Sequence, residues 1–207
     1  MFDMAGLSKS QSLKCLAGIV FLFCHWMVTP AMAQMAVQLS EPLIERGEDG
    51  VYLSGNLEFE LSAGLEDALT RGMPLTFVLQ AEVMRERWYW YDKSTGMTER
   101  YFRLTYQPLS RRWRLYVSSA PVVSTGLGVT LGSSFDSLRD AMQAIQKISR
   151  WRVAELGILQ KDVKQRLDVR FRLDLSQLPQ ALQFGNQSSS DWNVNYTHSF
   201  RLEELSK

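Results

Sequence analysis

Cysteine and histidine are almost missing from this chain, and their scarcity excludes several kinds of chemistry. The 207 residues contain two cysteines and two histidines, and three of the four lie before residue 34. Because only His198 follows, residues 34–207 have no cysteine nucleophile and no disulfide. A zinc site takes three or four ligands from His, Cys and carboxylates, and a single histidine makes such a site improbable. Neither a metal nor another cofactor is therefore expected. No G-x-S-x-G nucleophile motif precedes His198, which is therefore expected to be an ordinary surface or edge residue.

An excess of charge of either sign is missing as well. Removing Lys9, Lys14 and Asp3 from the 23 basic and 22 acidic residues of the chain leaves equal numbers of each in residues 34–207. A general nucleic-acid binder would be basic, so no nucleic-acid partner is expected. Residues 34–207 also lack an apolar run near the roughly 20 residues that a membrane-spanning helix needs.

The N-terminus has the three parts of a cleavable secretory signal peptide. Lys9 and Lys14 precede an apolar run at 15–28, and the run is followed by Pro30 and the small-x-small tripeptide at 31–33. We predict cleavage between Ala33 and Gln34. Residues 1–33 are then the signal peptide, and residues 34–207 form a single periplasmic β-rich domain.

Two other interpretations of this leader fit less well. An uncleaved membrane anchor would need a longer apolar run than residues 15–28 supply. A lipoprotein would need small residues before the modified cysteine, whereas Phe23 precedes Cys24. The sequence therefore favours a soluble exported protein without a stable membrane span after cleavage.

Apolar and polar side chains alternate through most of residues 34–207, which is the pattern of strands. In residues 163–175 one face is apolar, interrupted only by Gln165, and the other is charged. This pattern predicts a core face with Val169, Phe171 and Leu173 and an exposed face with Arg170 and Arg172. Further strands are predicted at 37–44, 51–61, 75–91, 100–107, 113–118, 150–156 and 192–202.

Helices are predicted to be short and few. Ser62 is a candidate N-cap for a helix that runs to about Arg71 and is stopped by Gly72 and Pro74, and Ser134 for a helix that reaches about Ile148. A third lies near 178–184. Strands interrupted by short helices, without a β-α-β rhythm, predict a mainly β (α+β) domain. The expected architecture is an antiparallel β-sandwich or strongly curled sheet with two or three short helices.

The sequence also resembles a known family over nearly all of residues 34–207. The resemblance rests on the runs 69–77, 85–92, 104–109, 170–174 and 178–182, together with Trp192. They are similar, in this order, to an uncharacterised proteobacterial family known as domain of unknown function 4390. The resemblance implies export and brings no activity and no active site. Its genes are often found beside those of a membrane sensor histidine kinase, which implies an envelope protein partner such as the external domain of that kinase.

The end of the predicted strand 75–91 is the candidate partner-binding surface. Both of its faces are aromatic there, whereas a half-buried strand is apolar on one face only. Residues 92–97 are predicted to form the hairpin loop that follows. Either a second layer of the protein covers the aromatic side chains, or they stand clear and bind a partner. The residues proposed for such binding are Arg87, Trp88, Tyr89, Trp90 and Tyr91.

Two classes of function remain open, and a non-enzymatic interaction module is the favoured one. The alternative is an envelope hydrolase or glycan-active enzyme that uses carboxylates only. Glycoside hydrolysis places two carboxyl groups about 5–9.5 Å apart. Glu82 and Glu86 lie on one predicted strand with backbones about 13 Å apart, which is too far.

Arginine alternates with aromatic residues at 85–88, 111–114 and 150–152. This pattern suits an anionic glycan or a lipid headgroup, because guanidinium groups bind anions and stack on rings. The alternative, which the balanced charge favours, is a solvated strand face of cross-strand ion pairs.

Overall fold

Two antiparallel sheets contain most of the residues that the computed structural model describes, which are 37–89, 91–121, 132–159, 163–177, 192 and 194–202. All of them belong to one compact unit, Met35–Lys207. The predicted signal peptide and the predicted helix near 178–184 lie outside the described residues. In these ranges no helix has the length and apolar character needed to cross a bilayer.

The strands form a small and a large sheet. In chain order they are β1 (Gln38–Arg46), β2 (Gly50–Glu58), β3 (Leu75–Arg85), β4 (Lys93–Gln107), β5 (Arg112–Ser118), β6 (Gly132–Phe135), β7 (Lys147–Glu155), β8 (Gln165–Leu173) and β9 (Asn195–Arg201). The small sheet has the order β1-β2-β7, and the large sheet has the order β6-β5-β4-β3-β8-β9. The predicted mainly β, sandwich-like α+β class is confirmed.

One hydrophobic core joins the inner faces of the two sheets. Phe59, at the end of the small sheet, lies with its ring centroid 5.0 Å from that of Phe171 on β8 and 5.7 Å from that of Phe77 on β3. Thr98 of β4 donates a hydrogen bond to the carbonyl oxygen of Val153 on β7 at 3.3 Å. The small sheet therefore packs across the middle of the large one.

The predicted division of β8 into a core face and a charged face is confirmed for most positions. The core face holds Val169, Phe171 and Leu173, all buried. Arg172 is exposed, but Arg170 is only partly so, because its guanidinium reaches across to Glu82 at 3.4 Å. Gln165, the polar interruption of the apolar face, is buried and donates a hydrogen bond to the carbonyl oxygen of Ile158 at 3.0 Å.

Helix α1 (Ala63–Thr70) begins and ends as predicted. Ser62 caps it by accepting a hydrogen bond from the backbone N–H of Leu65. Gly72 follows the helix with a φ of +84°, which glycine adopts at little cost. The backbone N–H of Met73 then bonds the carbonyl oxygen of Ala68 at 3.0 Å, and this closes the C-terminal turn.

Helix α2 (Leu138–Gln146) begins later than predicted. Its N-cap is Ser137, whose hydroxyl oxygen accepts a hydrogen bond from the backbone N–H of Asp140 at 3.1 Å. The predicted cap Ser134 is wrong, because that residue lies in β6, a strand that the sequence pattern did not predict. The helix ends at Gln146 rather than near Ile148, since β7 starts at the next residue.

Strands β3 and β4 differ most from their predicted bounds. β3 ends at Arg85 rather than at Tyr91, and β4 begins at Lys93 rather than at Arg100. Most of the predicted loop 92–97 is therefore strand. At Gly96 a Cβ atom would lie 2.6 Å from Cδ1 of Ile158. Gly96 therefore allows the strand to pack closely against Ile158, although in the sequence a glycine at this position suggests a turn.

Candidate functional site

The loop between β3 and β4, residues 86–92, carries the candidate site and is called the aromatic loop below. The exposed fraction is 93% for Trp88, 66% for Tyr89 and 93% for Tyr91. The interpretation in which a second layer of the protein covers these side chains is therefore wrong for the three residues. Arg87 is exposed beside them, and Trp90 lies outside the described residues.

The predicted alternation of aromatic faces does not apply to this segment. It assumed that the strand continues to Tyr91, whereas pairing on both sides of β3 stops at Arg85. Arg85 is opposite Lys93 of β4 and Gln165 of β8. The aromatic residues therefore lie in a loop beyond the end of three neighbouring strands.

Two backbone hydrogen bonds fix the start of the aromatic loop. The N–H of Glu86 donates to the carbonyl oxygen of Lys164, next to β8, at 3.0 Å. The N–H of Arg87 donates to Oδ1 of Asp92 at 3.4 Å, which connects the two ends of the loop. Inside the loop the rings of Trp88 and Tyr89 meet edge to face, with centroids 4.7 Å apart.

An arginine on β8 holds the other end of the loop. Nη1 of Arg166 lies 2.6 Å from Oδ2 of Asp92, and its Nε lies 3.0 Å from Oδ1 of Asp168. These three residues are called the Arg166 clamp. The Asp168 side chain is only 7% exposed, so little water competes for its carboxylate. Hydrogen bonds to Asp168 and then to Asp92 raise the pKa of Arg166, which keeps the clamp charged.

Two acidic residues occupy opposed positions on the face of the large sheet that points away from the core, and one of them belongs to this clamp. Glu82 of β3 is directly opposite Asp168 of β8, a proximity that sequence spacing could not reveal. Arg170 bonds Glu82, and Arg166 bonds Asp168. Each carboxylate thus has its own arginine: Arg170–Glu82 is a cross-strand ion pair, and Arg166–Asp168 lies within β8.

The three arginine–aromatic runs do not form one surface. The run 85–88 reaches the aromatic loop, 111–114 leads into β5, and 150–152 lies in the small sheet. Arg112 pairs with Asp136 at 3.0 Å and Arg152 with Asp49 at 3.4 Å. The guanidinium of Arg150 lies 5.0 Å from the ring centroid of Tyr52. These contacts fit the ion-pair interpretation better than a shared anion site.

His198 lies on β9, a strand with one paired neighbour among the described strands. Its side chain is exposed between Tyr196 and Phe200. The prediction of a surface or edge histidine is confirmed. Over the described part of the chain, no three His, Cys, Asp or Glu side chains form a group that could hold a metal ion.

Comparison with known proteins places the chain in a family without assigning it an activity. No curated protein and no solved structure matches it. The model of one family, described as domain of unknown function (DUF4390), matches residues 34–202. That match includes every residue of the aromatic loop and of the Arg166 clamp. The chain therefore belongs to the domain of unknown function 4390 family.

Proposed function

We propose that this protein is an exported, non-enzymatic interaction module of the cell envelope that binds a protein partner through the aromatic loop. The observation that carries the proposal is the near-complete exposure of Trp88 and Tyr91 on a loop that is fixed at its base. Trp, Tyr and Arg are the residue types enriched in binding hot spots. The external domain of a membrane sensor histidine kinase is the first partner to test.

The exposed rings supply enough apolar surface for specific binding only if most of it is buried. Each ring can bury about 150–250 Å². At about 25 cal/mol per Å², this is worth about 4–6 kcal/mol per ring. Association itself costs about 4–15 kcal/mol. Loss of one ring is therefore expected to weaken capture strongly, and loss of two to abolish it.

Export is the first part of the proposal to test. The motivation is the leader with its small-x-small tripeptide at 31–33. N-terminal sequencing of protein from the periplasmic fraction should begin at Gln34. Recovery of an intact chain from Met1 in the membrane fraction would contradict both cleavage and the proposed location.

The partner-binding surface is tested by replacing Trp88 and Tyr91 together with alanine. Capture of the purified kinase external domain should be lost, because both rings are removed. The melting temperature should stay nearly unchanged, because exposed side chains away from caps and networks contribute little to stability.

A matched control replaces two exposed apolar residues elsewhere, Leu109 and Met97, with alanine. This variant should bind as the parent protein does. Equal loss in both variants would mean that capture is nonspecific and hydrophobic. A large fall in melting temperature for the loop variant would show that its rings support the fold instead.

The hydrolase alternative is testable at the outward carboxylates. Glu82 and Asp168 are both engaged by arginines, and this favours a structural role. Release of sugar from an envelope glycan by the purified protein, lost in Glu82→Gln and in Asp168→Asn, would favour the enzyme instead.

A further inference from the structure

Basic side chains surround the aromatic loop. They are Arg85, Arg87, Lys93 and Lys164. No ion pair between described residues includes any of them. The loop has two carboxylates of its own, but Asp92 is already bound by Arg166. Glu86 is thus the one loop carboxylate left to balance four cations.

Several other arginines of the described surface do have carboxylate partners. Arg71 pairs with Asp67 at 2.8 Å, Arg112 pairs with Asp136, and Arg152 pairs with Asp49. Since residues 34–207 are neutral as a whole, the local excess reflects where charges are placed rather than composition. The excess coincides with the most exposed aromatic residues.

We propose that the surface bound by the aromatic loop is an acidic protein surface. Its carboxylates would face Arg87 and Lys93, while Trp88 and Tyr91 enter an apolar recess between them. This inference rests on the proposed function and adds the chemistry of the partner. A guanidinium binds a carboxylate through two parallel hydrogen bonds, and opposite charge accelerates encounter.

The structure favours a protein over an anionic bilayer as the acidic surface. The loop is held at both ends by Lys164, by its own Asp92 and by Arg166, so its backbone is anchored where it joins the sheet. Such preorganisation lowers the cost of binding a shaped surface, whereas a fluid bilayer does not require it. The loop also lacks the aliphatic side chains that reach acyl chains.

The test uses the protein as purified from cells and two synthetic probes, decaglutamate and decaglutamine. The indole N–H resonance of Trp88, assigned with Trp88→Phe, reports binding at the loop. Decaglutamate should shift this resonance and decaglutamine should not. The double variant Arg87→Glu/Lys93→Glu should weaken the decaglutamate effect by at least about tenfold at low salt, and added salt should reduce the difference.

A control with the same change in charge is Arg46→Glu/Arg172→Glu, which reverses two exposed arginines on other strands. It should bind decaglutamate as the parent protein does. Equal weakening in both variants would overturn the inference, because only net charge would then matter.

Vesicles of phosphatidylcholine with 30% phosphatidylglycerol separate the two macromolecular partners. Binding to these vesicles without any response to decaglutamate would overturn the acidic-protein proposal in favour of a membrane surface.

If Trp88→Ala/Tyr91→Ala loses kinase-domain capture while Arg87→Glu/Lys93→Glu retains it, the proposed function stands and the acidic surface is wrong. If neither variant loses capture, both proposals fail.

Discussion

Two loops connect strand β4 to its neighbours in the chain, and different contacts hold each of them in place. At its C-terminal end the turn 108–111 reaches β5 through local chemistry. Arg111 adopts a φ of +51°, and the Ser110 hydroxyl donates to Oε1 of Gln107 at 3.2 Å. At its N-terminal end the aromatic loop depends on Arg166, a residue 74 positions away from Asp92 in sequence.

Exposure of an apolar side chain alone does not distinguish the two loops. Leu109 at the turn is fully exposed, as Trp88 and Tyr91 nearly are at the aromatic loop. Single exposed apolar residues are normal on protein surfaces. What distinguishes the aromatic loop is several exposed rings on a loop whose ends are held by contacts with a third strand, and the proposal of a docking surface rests on this combination.

One hydrophobic core supports the strands that carry both loops, and Phe171→Ala tests this. Of the variants considered, it should have the largest effect on the free energy of unfolding. The side chain is completely buried and contacts Phe59 and Phe77. Its loss should reduce the free energy of unfolding by about 3–5 kcal/mol in chemical denaturation. Arg172→Ala, on the opposite face, should stay within about 0.5 kcal/mol. Similar losses in both variants would mean that the faces are wrongly assigned.

Removing the Arg166 clamp should have the next largest effect. Arg166→Met leaves the buried carboxylate of Asp168 without its partner, so the free energy of unfolding should fall by about 2 kcal/mol. Amide hydrogen exchange should increase in the aromatic loop and stay constant in the turn 108–111.

Arg112→Met is the matched control for the clamp. The ion pair of Arg112 with Asp136 is largely solvated, so its loss should change the free energy of unfolding by less than about 0.5 kcal/mol. If the two variants lose the same stability, or if loop exchange does not change in Arg166→Met, the long-range anchoring inferred for the aromatic loop is wrong.

Tyr101 lies on β4 between the two loops. Its contribution to the free energy of unfolding should be smaller and should depend on pH. It is 7% exposed, and its hydroxyl donates to Oε2 of Glu99, which together with burial raises the pKa of Tyr101 to about 12. Because the pKa of Tyr101 is higher in the folded state than in the unfolded state, its contribution to the free energy of unfolding is fully present below pH 10 and is lost between pH 10 and 12.

Tyr101→Phe removes this contribution, which is about 1.5 kcal/mol for a hydrogen bond to a charged group. The difference in free energy of unfolding between parent and variant should be present at pH 8 and shrink as the pH rises toward 12. A difference that stays constant over this range would show that the hydrogen bond does not couple folding to ionisation.

The smallest effects on stability are expected at the tips of the loops. Tyr91→Ser and Leu109→Ser should each change the free energy of unfolding by less than about 0.5 kcal/mol, since both side chains are exposed. Partner capture should weaken only in Tyr91→Ser. Equal capture by the two variants would remove the functional distinction between the loops.

Regular alternation made much of the large sheet predictable. In β8 the pattern assigned the core face and the charged face, because one face packs and the other meets water. Local signals also located α1, where Ser62 and Gly72 satisfy the ends of the helix. For α2 the local sequence also contains a cap signal, because an acidic residue, Asp140, lies three residues after Ser137 and bonds it.

The end of β3 could not be read from local sequence. Trp and Tyr favour strands, so alternation continues past Arg85 although pairing with both neighbouring strands stops there. The four-residue strand β6 was missed for the opposite reason, because its sequence, GSSF, has little strand propensity and pairs only as an edge of β5. The Arg166 clamp depends on the register between β3 and β8, which sequence periodicity does not determine.

The clamp also affects the order in which the aromatic loop can reach its final arrangement during folding. The β3–β4 hairpin is local and can close early, but β8 must close a long stretch of chain before Arg166 reaches Asp92. A chain that lacks β8 would carry the rings of Trp88 and Tyr91 without this support. Under the proposed function, a partner would therefore meet a supported loop only on folded chains that contain β8.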